Sequence, residues 1–398
     1  MDKVLSTLRQ EGESLQEKLV GYRRTLHACP ELRMETPLTE AAIISYLRGI
    51  GIEKITAGVG GHGVTALIEG KLPGKCLAIR ADCDGLPIRE ETDLPYASQN
   101  GNMHACGHDF HSAALLGAAE LILWHTEELR GTVKLIFQPY EEGDGGAKRM
   151  IADGVLKVPQ VDAIIGFHNG CHIDRDYRAG DVLVTEQSAS ANIFAYRAVF
   201  HGTGGHVCLS RTSVNPVYAA CEAVVKIREL AKAHPDAVCA VTVVQGGVRN
   251  NVIPEVCVIE GSIRSFDREE HQIMRDRVRR IIEEAGGADA ASHGTGTDFE
   301  PTIDLMSTKN DAALYGKFCR VTKKLYPESG WKRYEPVPMI GEDFARYAYR
   351  IPGFYFMLCA KPDGARYPHH HPKFILDETV LHKASVLLAG FALEWQEV

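Results

Sequence analysis

A chain of 398 residues, 45% hydrophobic and 24% charged, exceeds the size of one ordinary core and is too apolar for disorder, so two globular domains are expected. Its net charge of -8, with no long run of Lys or Arg, excludes the electrostatic footprint of a nucleic-acid binder. The opening MDKVLSTLRQEGE carries acids and reads as an amphipathic helix rather than a signal peptide, and the apolar run at 113–124 is too short to span a membrane.

In chain order, helix-period segments at 15–27, 38–50 and 111–129 alternate with β-rich runs at 63–69, 75–81, 132–138 and 161–167. That is the pattern of an α/β domain with a mostly parallel sheet. From about residue 188 the texture changes to strand 192–202, helix 215–233, strands 238–246 and 255–266, helix 268–285 and a final short strand. This β-α-β-β-α-β order is the ferredoxin-like split motif, compact enough to stand as a module of its own. A helix at 311–326, a strand at 354–359 and a closing helix at 377–396 then restore the α/β character. The expected organisation is a discontinuous α/β domain, 1–187 and 301–398, interrupted by a small α+β domain at 188–300. The 11 Cys form no disulfide-like framework, and Cys76, Cys239, Cys257 and Cys359 sit in apolar runs, which fits a reducing, cytoplasmic compartment.

Ligands of open α/β sheets bind at the carboxyl ends of the strands. Here CLAIRA ends in Asp82 and Asp84, VKLIFQP in Glu141 and Glu142, VDAIIGF in His168, and FYFMLCA leads toward HHHP at 369–372. Between them MHACGHDFH sets Cys106 and His108 in a tight loop before a helix. Alone, each has a bland reading: a solvated acidic pair, a buried small Cys, a hydrogen-bonded His, a surface His tract. Gathered at one sheet edge, thiolate, imidazole and carboxylate suit zinc, with manganese, cobalt or nickel as alternatives. Adjacent glutamates fit such chemistry because one can bind metal while its neighbour moves a proton from water to a leaving nitrogen.

These residues resemble the M20 metallopeptidase family, in its amidohydrolase branch of hippurate hydrolases, N-acyl-amino-acid amidohydrolases and auxin-conjugate hydrolases. The resemblance runs nearly end to end and is carried by RRTLHACPEL (23–32), IRADCDGLPIRE (79–90), MHACGHDFHSAALLGAA (103–119), FQPYEEGDGGAKRMIADGVL (137–156), GGH (204–206), NVIP (251–254), GSIR (261–264), GEDF (341–344) and HHPKFILDE (370–378). It implies a zinc-peptidase-like catalytic domain with an inserted lid and dimerisation domain, in a homodimer or homotetramer. It also implies two divalent metal ions per subunit: Cys106 bridging, His108 and His168 on one ion, Glu142 and His370 on the other. Glu141 matches the general base, Asp84 the acid that orients a ligand, and His206 the group that stabilises the oxyanion. Asn251 and Arg264 match substrate-contacting positions. Asp82 stands where other branches keep a metal-binding His, and His111 is read as helix-start packing.

Two departures bear on substrate preference. Cys83 and Gly85 replace the more usual Met and Ala, and VCLSRTSVNP after His206 lacks the usual proline and Asp-Pro. The function so implied is hydrolysis of an N-acyl amino acid or similar small amide by a metal-activated water. A dipeptidase or aminoacyl-glutamate hydrolase of the same fold is the alternative within the class, and a non-catalytic metal-binding or assembly protein the alternative outside it. A zinc base deaminase is excluded, since no Pro-Cys-x-x-Cys segment is present.

Overall fold

The computed structural model describes residues 2–143, 145–170, 176–293 and 296–396. The elements begin with α1 (Asp2–His27), α2 (Pro37–Gly49), β1 (Ile55–Val59), β2 (Gly63–Glu69), β3 (Leu72–Asp82), α3 (His108–Trp124), β4 (Arg130–Gln138), α4 (Gly146–Ala152), β5 (Ala163–Gly170) and β6 (Val182–Val184). They continue through β7 (Asn192–His201), β8 (Gly205–His206), α5 (Pro216–Ala233), β9 (Val238–Gly246), β10 (Val252–Ile253), β11 (Val256–Ser265), α6 (Arg268–His293) and β12 (Thr297–Leu305). The last are α7 (Ala312–Leu325), β13 (Lys332–Arg333), α8 (Ala345–Ala348), β14 (Gly353–Cys359) and α9 (Leu381–Glu394). Two compact units result: Met1–Ala189, Thr308–Val337 and Asp343–Val398 form the first, Ser190–Ser307 with Pro338–Glu342 the second.

The first unit is built on an eight-stranded sheet in the order β1-β2-β4-β3-β5-β14-β6-β13. Its centre, β4, β3, β5 and β14, is parallel, and antiparallel strands flank it. Parallel strands covered on both faces must be apolar on both, which is why 76–82 is buried at every position. Helix α3 is buried from His108 to Ile122, all round its circumference, because α1 and α9 pack on its outer side. Side chains such as Phe318, Phe356 and Phe391 fill this layer, with the Phe318 and Phe356 rings 4.5 Å apart. Each buried aromatic of this kind contributes roughly 1.5–3 kcal/mol over an exposed one. The opposite face is closed by Met150, Tyr334, Phe344, Tyr347 and Tyr355.

The second unit has the sheet order β12-β7-β11-β9, all antiparallel, with α5 and α6 on one face. That is the strand order of the ferredoxin-like split motif. In β11 buried and half-exposed residues alternate, so Cys257, Ile259 and Ile263 meet Ile227, Met274 and Ile282 of the helices. Pairing of β12 with β7 runs to Leu305, which carries this unit past residue 300, and the 338–342 segment joins it through Ala191 N–H donating to Ile340 O at 2.8 Å. Strand β9 is an edge, with Val238 46% and Val244 51% exposed. Among the described residues no helix is long and apolar enough to cross a membrane.

Candidate metal centre

Four strand ends and one helix start in the first unit bring the site together. β3 delivers Asp82 and, two residues on, Asp84; β5 carries His168; the segment after β14 carries His369 to His371. Between Cys106 and His108 the chain turns at Gly107, φ +84°, where a Cβ would lie 2.3 Å from Asn169 Nδ2. Only glycine fits that corner. After β4, Tyr140 adopts φ +60°, and its carbonyl accepts the N–H groups of Gly145 at 3.3 Å and Gly146 at 3.0 Å. The loop thereby folds over the Tyr140 ring, and a Cβ on Gly143 would lie 1.9 Å from that ring. Asp84 fastens the other side, its carboxylate accepting the N–H of Glu141 at 3.1 Å and of Glu142 at 3.3 Å. His370 is also left-handed, φ +64°, and its N–H donates to Ala105 O at 2.8 Å, stitching its loop to the one that carries Cys106. Non-glycine residues held at positive φ cluster where surrounding contacts over-determine them, often at functional sites.

The donor atoms converge as a consequence. Cys106 Sγ lies 3.4 Å from His168 Nε2 and 3.3 Å from His370 Nε2, while Glu142 Oε1 lies 3.2 Å from His370 Nε2 and 3.9 Å from His108 Nε2. Two sets, Cys106 with His108 and His168, and Cys106 with Glu142 and His370, each fit within 4.8 Å. His108 Nδ1 faces Asp84 O at 2.9 Å and Asp84 Oδ1 at 3.2 Å, so it donates a proton there and leaves Nε2 as the nitrogen turned to the donor cluster. His168 Nδ1 donates to Asn169 O at 2.6 Å with the same result. His108 Nε2 is buried without a hydrogen-bond partner among the described residues, and Glu142 Oε1, buried beside it, is met by the His370 ring at 3.2 Å. Buried acceptors left unpaired are costly unless a cation satisfies them.

Burial disfavours charge throughout the cluster, and neighbours decide the outcome. It pushes His168 down to about 4, so that imidazole is neutral. In His108 burial is outweighed by Asp82 and Asp84, which hold its pKa above the usual value, so without a cation Nε2 is protonated too, and a cation would bind there in exchange for that proton. Asp82 lies well below the usual carboxylate range despite burial, because His108, His111 and Arg80 surround it. The Cys106 thiol is pushed up by burial, with Glu142 adding to it. A divalent ion inverts that balance by binding the thiolate outright.

The structure brings together Cys106, His108, Glu141, Glu142, His168, His370 and Asp84 in the first unit. His206, Asn251 and Arg264 belong to the second. His206 pairs with Val252, and Val207 N–H donates to Asn251 O at 3.0 Å, so His206 and Asn251 are neighbours. Arg264 stands near the far end of β11, about 25 Å along the strand from Val256, with Nη1 donating to Met339 O at 2.6 Å.

His111 is satisfied as helix-start packing: Nδ1 donates to Asp82 Oδ1 at 2.5 Å, and Nε2 accepts the Asn169 N–H at 2.8 Å, leaving no lone pair for a metal. Sequence reasoning passed over Asn169. Its side chain donates to Cys106 O at 3.0 Å and Gly107 O at 3.2 Å and accepts from His369 Nε2 at 3.1 Å, tying two loops to the end of β5. The one available signal was an amide at an otherwise apolar strand end. Arg80 was likewise missed as a strut: fully buried, it donates to Asp82 at 2.8 Å, Asp343 at 2.7 Å and Gln138 at 3.0 Å, while Asp343 N–H reaches Glu141 Oε1 at 3.4 Å.

Thiolate, imidazole and carboxylate donors at the carboxyl edge of a mostly parallel sheet define a metal-binding α/β hydrolase. N-acetylcysteine deacetylase of Bacillus subtilis (strain 168) is 36% identical over 381 residues, covering 94% of this chain and 96% of its own. With residues 78–394 matching, the chain belongs to peptidase family M20/M25/M40. IAA-amino acid hydrolase ILR1-like 2 of Arabidopsis thaliana is 35% identical over 387 residues, covering 95% of this chain and 85% of its own. The crystal structure of a Bacillus subtilis dinuclear metal binding peptidase from the M20 family superposes with a TM-score of 0.80 at 34% identity, covering 96% of this chain and 99% of its own.

Proposed function

We propose that this protein is a metal-dependent amidohydrolase that cleaves the amide bond of N-acyl amino acids or similar small amide conjugates, releasing a carboxylic acid and an amine. The observation that carries the reading is the pair Glu141 and Glu142: one carboxylate converges with Cys106 and His370, the other stands beside it and is held at Asp343 N–H. Both relatives named above are, by name, enzymes that break an amide bond to an amino acid. Two divalent cations would be held here, one by His108 and His168, the other by Glu142 and His370, with Cys106 common to both sets. The buried, unpartnered His108 Nε2 and the approach of His370 Nε2 to Glu142 Oε1 at 3.2 Å support that allotment. The donor set suits zinc first, with manganese, cobalt or nickel as alternatives.

When bound, such ions supply Lewis acidity that makes water a nucleophile at neutral pH and polarises the amide carbonyl. Glu141 takes a proton from the attacking water and passes it to the departing nitrogen. Asp84 keeps His108 in the tautomer that leaves Nε2 free. His206 donates to the oxygen on which charge develops, and Asn251 and Arg264 hold the substrate, the guanidinium fork being suited to a free carboxylate. The inserted unit serves as lid and dimerisation domain of a homo-oligomer. The exposed β9 edge favours this, and so does the placing of His206 with Asn251 away from Arg264, which a dimer can assign to different substrate molecules. The cytoplasm is the proposed compartment, favoured by the ten described cysteines all being free.

Replacing Glu141 with Gln is expected to leave metal content unchanged and lower kcat about 10²–10⁴-fold. Metal analysis and steady-state kinetics check this, and turnover like that of the wild type sinks the base assignment. Substrate class is read from a panel of N-acyl amino acids and dipeptides offered to metal-free enzyme reloaded with Zn, Mn, Co or Ni. A requirement for a free amino group on the acyl side would turn the assignment to a dipeptidase.

A further inference from the structure

The motif at 23–32 contains two residues that the chemistry above leaves unused, Arg23 and His27, each only 2% exposed. They stand four residues apart on the last turns of α1, on one face. Arg23 Nε lies 3.0 Å from Asp109 Oδ2, and Arg23 Nη1 lies 2.9 Å from Glu378 Oε1. His27 Nδ1 meets the same Asp109 oxygen at 2.8 Å, and its Nε2 lies 3.1 Å from Glu90 Oε1. Glu90 in turn accepts the Ser98 N–H at 2.7 Å, which fastens the loop leading to Cys106. From the outer side Arg24 forks onto Glu378, with Nη2 at 2.6 Å and Nε at 3.1 Å from Oε2. His104, two residues before Cys106, is buried beside this cluster with both ring nitrogens unpaired among the described residues.

The placing of the two carboxylates gives the cluster its meaning. Asp109 directly follows His108 at the start of α3, and Glu378 follows the segment that carries His370. Buried ion clusters are weak devices for stability, because apolar side chains of similar volume fill the same space at lower desolvation cost. What apolar packing cannot do is fix two segments at a set distance. A planar guanidinium that ion-pairs with one carboxylate at Nε and hydrogen-bonds another through Nη1 does so, and a lysine, with a single ammonium, cannot.

On the reading of the metal centre given under Proposed function, we infer that Arg23, braced by His27, is a positioning residue that sets the spacing of His108 and His370, the ligands of different cations, by tying Asp109 to Glu378. It touches neither metal nor substrate. Its effect reaches the site through the two segments it joins.

Metal-free wild type, Arg23→Met and Arg23→Lys are titrated with Co²⁺ alone, following heat of binding, the thiolate-to-cobalt absorption, and the rise in Tm on loading. Wild type is expected to take up two ions. Both variants are expected to bind the second at least tenfold more weakly, with an altered absorption band and a smaller rise in Tm, and lysine is not expected to rescue. A variant that loses Tm equally with and without cobalt, while keeping wild-type affinity and spectrum, has lost a structural strut only, and the inference is overturned. Wild type that binds no cobalt overturns the metal centre itself and this inference with it, which separates the two failures. Should Arg23→Met not fold, His27→Gln, which keeps the guanidinium, carries the same expectation of weakened second-ion binding, and unchanged affinity there overturns the inference.

Discussion

Which ring nitrogen carries the proton decides which histidines here can serve a cation. His108 and His168 give their Nδ1 protons to oxygens and present Nε2, whereas the Nε2 of His111 is consumed by a backbone N–H. Residue type and spacing marked Glu141, Glu142 and His168 at the ends of apolar runs and Cys106 and His108 in a tight loop before a helix, but they could not mark tautomers, which depend on partners far away in sequence. The same holds for His27. Burial works against its charge, yet Asp109, through its charge and hydrogen bond, and Glu90 overcome burial and the repulsion of Arg23, pushing its pKa up to about 9, with His104 and Tyr96 as its remaining ring neighbours. The folded pKa is raised above the unfolded value near 6.5, so the stabilisation is complete below about pH 6.5 and is lost as pH rises through about 9. A shift of that size corresponds to on the order of 3 kcal/mol. Urea unfolding of the metal-free protein is therefore expected to show an alkaline loss of stability that His27→Gln lacks, and parallel pH profiles for the two proteins refute it.

At the scale of elements, the turn after β4 is the most constrained piece of the site. Tyr140 at positive φ and the glycines under its ring leave one path for the backbone, and that path aims both glutamates inward. Gly143→Ala places a methyl within the ring, so either the ring or the loop must move. The expected result is a fall in kcat of roughly 10- to 100-fold, as geometric misplacement of reacting groups brings, with a Tm close to that of the wild type. Kinetics alongside thermal unfolding check it, and unchanged kcat means the loop finds another path. Long elements were legible from periodicity: α3, β3, β4, β5 and, in the second unit, β7, β9, β11, α5 and α6 lie where apolar spacing places them. Elements of two to four residues, β6, β8, β10, β13 and α8, were not, because partners define them and no internal period can. Asn169 and Arg80 escaped for a related reason. Their work is done on backbone carbonyls and on side chains from distant segments, and neither leaves a local pattern.

For the molecule as a whole, the second unit presents an edge that its own sheet leaves open. Among the described residues β9 pairs with β11 alone, and Val238 at one end and Val244 toward the other stand exposed along it, as do Val248, Val252 and Val256 in the segments near its Gly246 end. Long apolar edges are hazards unless another strand or surface covers them. The proposed homo-oligomer supplies that cover. Val244→Lys is expected to shift the protein toward monomer in light scattering behind size exclusion, with the second unit intact because the side chain is already half exposed. Wild type running as a monomer at micromolar concentration would remove the proposal.

The seat of β14 between β5 and β6 has a further consequence, in the order of synthesis. β5 ends at Gly170, and the strand that covers its edge begins only at Gly353, after the entire second unit has been made. A growing chain therefore carries the sheet as two unjoined parts, with the edge of β5 bare while the ferredoxin-like unit, whose four-stranded sheet ends at Leu305, is already able to close. The last ligand-bearing loop follows that late strand. Loading of the centre thus belongs to the finished polypeptide, and until the ribosome has passed His370 the nascent protein holds neither a complete sheet nor a complete set of donors.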